Sequence, residues 1–163
     1  MNLATNKSGL EQQLEDMMRL NAIFEKINRL SNDLAWANAF TDDLFMHQPF
    51  LLSMLTGYQF DLSAIELDEA LKLYIAVWAY FKVNPKVKTN AITEAQFDRF
   101  HNINIKVFVV NDPADRETMT VLLAAIFERF VNRPALFNME TQTKGALMIG
   151  VKSIIECFEE ITS

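Results

Sequence analysis

SAIELDEALKLYIAVWAYFK, residues 63–82, is the stretch whose reading decides the fold. Ser63 and Glu66 stand in the S-x-x-E order of a capping box, in which hydroxyl and carboxylate satisfy each other's backbone N–H groups at a helix start. Beyond that start, Leu71, Leu73, Tyr74, Ile75, Val77, Trp78, Tyr80 and Phe81 leave little polar face. A helix apolar nearly all round lies near the middle of its domain. Leu73–Phe81 is the longest uninterrupted apolar run, well short of the roughly 20 residues of a membrane span. Pro85 ends the helix.

Similar start signals recur on either side. Ser8 with Glu11 repeats the box, Thr93 with Gln96 is its T-x-x-Q form, and Asp112-Pro113 sets an acceptor before a proline at a first helical position. The first helix is expected from about Leu10 to Leu30. Its apolar face holds Leu10, Leu14, Met17, Met18, Phe24, Ile27 and Leu30, opposite Glu11, Glu15, Arg19, Glu25 and Arg29. Ser31-Asn32-Asp33 breaks and recaps the chain. A second helix then carries Trp36, Ala37, Phe40 and Leu44 to about His47. Pro49 kinks or restarts it, and Gly57 reads as a C-cap.

Residues 84–92 read as the longest irregular connection. From Glu94 to Val110 two periods compete. Phe97, Phe100, Asn104, Val107 and Phe108 recur at helical spacing, while Ile103, Ile105, Val107 and Val109 alternate as a strand would. Helix is preferred, because no second segment reads as a partner strand. A sixth helix is expected from Pro113 to about Val131, and a last one from about Met139 to Ile161. The last carries small residues at Ala146, Gly150, Ser153 and Cys157, a stripe that lets another helix approach closely. The expected architecture is all-α: one domain over residues 1–163, with residues 1–8 a disordered terminus. It is a bundle of six or seven helices around the central apolar helix at about 63–82.

Composition agrees. With 163 residues, 50% apolar and 22% charged, the chain is neither disordered nor fibrous, and 4 Gly with 4 Pro are too few for the turns of an all-β protein. The net charge is −6, and residues 1–81 carry 5 basic against 11 acidic side chains. That balance argues against nucleic acid and against anionic membrane surfaces as partners. The densest basic cluster, Lys82, Lys86 and Lys88, reads as a solvated connection. A single cysteine, Cys157, excludes an intramolecular disulfide, and the first residues lack an apolar signal core. The reading is cytoplasmic.

For chemistry, the glycine-rich phosphate loops, the G-x-S-x-G elbow, cysteine pairs and H-E-x-x-H are all absent. The chain is therefore read as a non-enzyme without a cofactor, acting through a protein partner or as a homodimer. Candidate contact faces are Met17, Met18 and Phe24 on the first helix, and Ala146, Gly150 and Ser153 on the last. The alternative is a bundle that holds an apolar ligand among Trp36, Tyr58, Tyr74, Trp78 and Tyr80, since the chain has 13 Phe, 3 Tyr, 2 Trp and 8 Met. A third reading pairs Asp43 with His47 and Asp98 with His101 as metal donors, four and three residues apart on helices. Against it, Glu128 and Glu156 fall about 200° round their helices from the apolar face, while Glu66 and Glu69 sit in first turns where the helix dipole explains them. Asp42, Asp43, Asp61 and Asp68 read as solvated or capping, and Cys157 as a small buried hydrophobe beside acids that raise its pKa.

Overall fold

A computed structural model describes residues 8–110 and 120–163. Among them are nine α-helices, one 3₁₀ turn and no strand, so the chain is all-α. The helices are α1 (Gly9–Leu30), α2 (Leu34–His47), α3 (Pro49–Gly57), α4 (Ala64–Phe81), α5 (Lys86–Thr89), α6 (Glu94–Val110), α7 (Val121–Asn132), α8 (Pro134–Phe137) and α9 (Thr141–Thr162). Seven are substantial. α5 and α8 are four-residue turns inside stretches that read from sequence as connections, and α5 occupies part of 84–92.

The starts follow local chemistry. Ser63 Oγ accepts from Glu66 N, and Glu66 Oε1 accepts from Ser63 N, so the capping box at α4 is complete. Ser8 and Thr93 each accept the N–H three residues on. Gln96 does not reach back to Thr93. Its side chain instead donates to the Cys157 carbonyl and to Glu160, tying α6 to α9. The Asp112-Pro113 start lies outside the described residues, as do residues 1–7 of the terminus read as disordered. α7 has Thr120 as its N-cap, with Oγ1 accepting from Leu123 N. Gly57 is not a left-handed cap: its φ of −66° is helical, and the chain runs on into the 3₁₀ turn Tyr58–Phe60.

The core lies where α4 crosses α9. α4 buries Ala70, Leu73, Tyr74, Ala76, Val77, Trp78 and Phe81, and α9 buries Leu147, Val151, Ile154, Ile155, Cys157 and Phe158. Phe158 is the pivot, with its ring 5.9 Å from Trp78 and 5.1 Å from Phe81. α9 therefore shares the centre with α4. α6 lies along α9 as a helix, and the alternating β-branched residues do not act as a strand. Ile103, Ile105 and Val107 face solvent, because α6 turns Asn104 towards α9. Asn104 Nδ2 donates to Ser153 Oγ at 3.0 Å and to Glu156 Oε1 at 2.7 Å, and Lys152 Nζ donates to Asn104 Oδ1. Glu156, expected to face solvent, is thus drawn into the α6–α9 seam. Glu128 stays on the surface beside Asn132.

α1 departs from expectation along half its length. It packs on α4 and α7 through Leu20, Phe24 and Ile27, with the Arg129 guanidinium 3.8 Å above the Phe24 ring. Before Leu20 nothing is buried. Leu10, Leu14, Met17 and Met18 are exposed by half or more, so a row that reads as a core face projects into solvent. Glu69, read as a first-turn acid, is buried, and Arg133 grips it with Nε and Nη2 at 3.1 and 2.6 Å. Among the described residues no helix is long and apolar enough to cross a membrane.

Candidate functional site: the cleft beneath α2

α2 is shallowly seated, with Leu44 as its one buried residue. Asp33 Oδ1 caps its start by accepting from Trp36 N. The far end is fastened firmly. His47 Nδ1 meets the Lys88 carbonyl at 3.2 Å, and the wholly buried Gln48 that follows bonds α5 and the segment after it. Gln48 Nε2 donates to the carbonyls of Val87 (2.7 Å) and Asn90 (3.2 Å), and its Oε1 accepts from Ile92 N at 2.9 Å. Between these ends α2 rests on two half-buried rings, Trp36 and Phe40, stacked with centroids 6.4 Å apart.

Large rings one turn apart hold a helix off its support, and a hollow opens on each side of them. Towards α3 lies one of about 340 Å³, walled by Leu52, Leu55, Leu67, Leu71 and Ile75. Towards α1 lies the larger, an open cleft of about 770 Å³, which is within the size of sites that take small organic molecules. Ile23 and Ile27 of α1, Trp36, Ala39, Phe40 and Met46 of α2, and Ile75, Trp78 and Ala79 of α4 form its apolar walls. Its polar groups are few: Lys26, Lys82, Asp42 and Asp43. Asp43 is engaged, with Oδ2 accepting from the Trp78 indole N–H at 2.8 Å and Oδ1 lying 3.6 Å from His47 Nε2. Trp78, His47 and Asp43 therefore make one polar seam at the cleft's edge, with the two rings stacked at 6.5 Å.

The five aromatic pocket residues expected from sequence fall in three places. Trp36 and Trp78 share the cleft. The half-buried Tyr58 and the buried Tyr74 form a pair beneath α9, with hydroxyls 2.7 Å apart; desolvation raises both pKa values, that of Tyr74 well above the usual phenol. Tyr80 lies under the Arg19 guanidinium at 3.9 Å, edge-on to Phe81. The missed cleft residues include Phe40, Ile23, Ile27, Ile75, Lys26 and Lys82. Phe40 one turn after Trp36 was visible in the sequence; the others join only through tertiary packing.

The other expected sites separate as clearly. Gly150 and Ser153 are buried within the fold, so the small-residue stripe admits the chain's own side chains and only Ala146 stands exposed. Phe24 is buried too, leaving Met17 and Met18 on the surface. Asp98 is exposed, and His101 stacks on Phe97 at 5.2 Å. Among the described residues no three His, Cys, Asp or Glu side chains are grouped to hold a metal ion, so Asp43–His47 and Asp98–His101 do not form one donor set. Cys157 is fully buried, and burial first, then Glu160 and Glu156, push its thiol up to about 12. A thiol so placed is a core residue.

Fold and site together define an all-α bundle with an open, aromatic-walled cleft under one loosely seated helix. No family model matches the chain, and neither a curated protein nor a solved structure does.

Proposed function

We propose that the chain is a small-molecule-binding helical protein and that its site is the cleft between α1, α2 and α4. The observation that carries this is the cleft itself: about 770 Å³ walled by apolar side chains of three helices, with few polar groups at its edge. Ligand sites in helical bundles have this composition, a mainly apolar lining with a small number of placed polar groups. The loose seating of α2 supports the reading further, since entry needs only the Trp36–Phe40 end to shift while Gln48 holds the other. Cytoplasmic placement belongs to the same proposal.

The test uses N-phenyl-1-naphthylamine, a neutral apolar fluorophore. It is expected to bind saturably at one site per chain and to accept energy from the tryptophans. Ala39 lines the cleft from an exposed position, so Ala39→Phe fills the space without disturbing the core. That variant is expected to weaken binding about tenfold at unchanged urea stability, because the added ring occupies the volume the probe needs. Non-saturable uptake, or binding indifferent to Ala39→Phe, would remove the proposal.

A second reading, contact with a protein partner, is favoured by the projecting half of α1. Leu10, Leu14, Met17 and Met18 form one exposed row flanked by Glu11 and Asp16, a combination suited to an apolar groove with a basic rim. Sedimentation equilibrium of the wild type and of Leu14→Glu/Met18→Glu addresses the homodimer form of this reading. On the groove reading both sediment as 18.7 kDa monomers. A wild-type dimer dissolved by the double substitution would make the occupant a second copy instead.

A further inference from the structure

We propose that the natural occupant of the cleft is an amphipathic anion, an apolar body carrying a single carboxylate head. This rests on the reading of the cleft as a ligand site and adds the charge of what enters it. The polar groups of the cleft differ in what already occupies them. Asp43 is engaged through Oδ2 by the Trp78 indole N–H, with His47 Nε2 lying 3.6 Å from Oδ1. The side chains of Lys26, from the α1 wall, and Lys82, at the end of α4, have no ion-pair or hydrogen-bond partner among the described residues, although both residues line the cleft. Asp42, exposed on α2, is the one carboxylate of the lining left without a partner.

Two unengaged ammonium groups therefore face one unengaged carboxylate. This balance runs against that of the chain, which is acidic overall and carries only 5 basic side chains in residues 1–81, Lys26 among them. Lys82 belongs to the basic cluster with Lys86 and Lys88, so Lys26 is the lysine that a basic surface does not account for. An ammonium offers three donors and no acceptor, so a carboxylate head satisfies what Lys26 and Lys82 leave open while the body lies against Ile27, Phe40 and Ile75. Lys82 also caps the C-terminal end of α4, where a cation is favoured on its own account. Lys26 has no such role, and its variant is the more telling one.

The experiment displaces bound N-phenyl-1-naphthylamine with decanoate, decanol and decylammonium, which share a chain and differ in the charge of the head, each below its micelle concentration. Decanoate is expected to displace the probe at about fivefold lower concentration than decanol, the scale of a half-exposed ion pair, with decylammonium weakest. Lys26→Gln is expected to remove most of the decanoate advantage and Lys26→Gln/Lys82→Gln all of it, with decanol unchanged in both. Decanol equal to decanoate, or substitutions without effect, overturns the inference. Decylammonium binding best also overturns it, and would assign the head to Asp42. In all of these the probe still binds, so the cleft itself stands. A probe that never binds saturably sinks the underlying reading instead.

Discussion

Gln48→Leu is expected to destabilise the fold by about 3–5 kcal/mol, since it strands the buried Val87 carbonyl and Ile92 N–H at about 1–3 kcal/mol each and also removes the half-buried bond to the Asn90 carbonyl. Gln48 is wholly buried between α2 and α3, and its one amide serves the carbonyls of Val87 and Asn90 and the N–H of Ile92. Leucine matches the volume and supplies neither donor nor acceptor. Urea denaturation followed by circular dichroism checks the number, and a loss below about 1 kcal/mol, the net worth of an ordinary hydrogen bond, would show that the segment finds other partners. Gln48→Glu separates donor from acceptor. The carboxylate keeps the bond from Ile92 N but turns a second oxygen on two carbonyls, so burial raises its pKa in the folded state above the unfolded value. For an acid raised in this way, stability is present below the unfolded pKa and is lost as pH rises through the folded one. The Gln48→Glu deficit is therefore expected to shrink between pH 7.5 and 5, while that of Gln48→Leu stays flat.

Gly150→Ala is expected to cost about 1–3 kcal/mol, although alanine is the better helix former by about 1 kcal/mol. A Cβ on Gly150 meets Tyr58 Oη at 2.8 Å and Tyr74 Oη at 3.0 Å. Both oxygens terminate rigid rings, that of Tyr74 buried and that of Tyr58 half-buried, and bond each other at 2.7 Å, so neither retreats without breaking that bond. Tyr58→Phe removes the nearer oxygen. The double variant Tyr58→Phe/Gly150→Ala is then expected to be more stable than the sum of the two single losses by about 1 kcal/mol, as for residues in contact. Strict additivity in urea melts would show that the α9 backbone shifts instead.

What the sequence made legible is what neighbours in the chain decide. Ser8, Ser63 and Thr93 each need only an N–H three residues away, so those helix starts could be read directly. The pattern at 63–82 places α4 at the centre because a helix without a polar face has nowhere else to lie. Periodicity reports which residues share a face, but not whether anything covers it. The row from Leu10 to Met18 therefore reads like a core face and stands exposed. Ile103 and Ile105 mislead for the same reason: Asn104, a polar residue, is the one α6 buries, because Ser153 and Glu156 await it on α9. The small-residue stripe on α9 marks a close approach, yet at Gly150 the approach is made by two tyrosine hydroxyls of the same chain. Glu69 looks like a dipole-stabilising acid until Arg133, 64 residues on, folds back on it. The cleft itself was half visible: Trp36 and Trp78 are its ends, but the gap between them exists because Trp36 and Phe40 prop α2 away from α4, which no local pattern reveals.

The most direct test of the cleft as a ligand site is a ¹H–¹⁵N NMR titration of the chain with decanoate. The two tryptophans give two indole N–H signals, one of them the Trp78 N–H bonded to Asp43. Both indole signals and the backbone amides of Ile27, Ala39 and Ala79 are expected to shift together along one saturable curve, while Leu10 and Leu14 stay still. Shifts confined to the exposed start of α1, or scattered without saturation, would contradict the account.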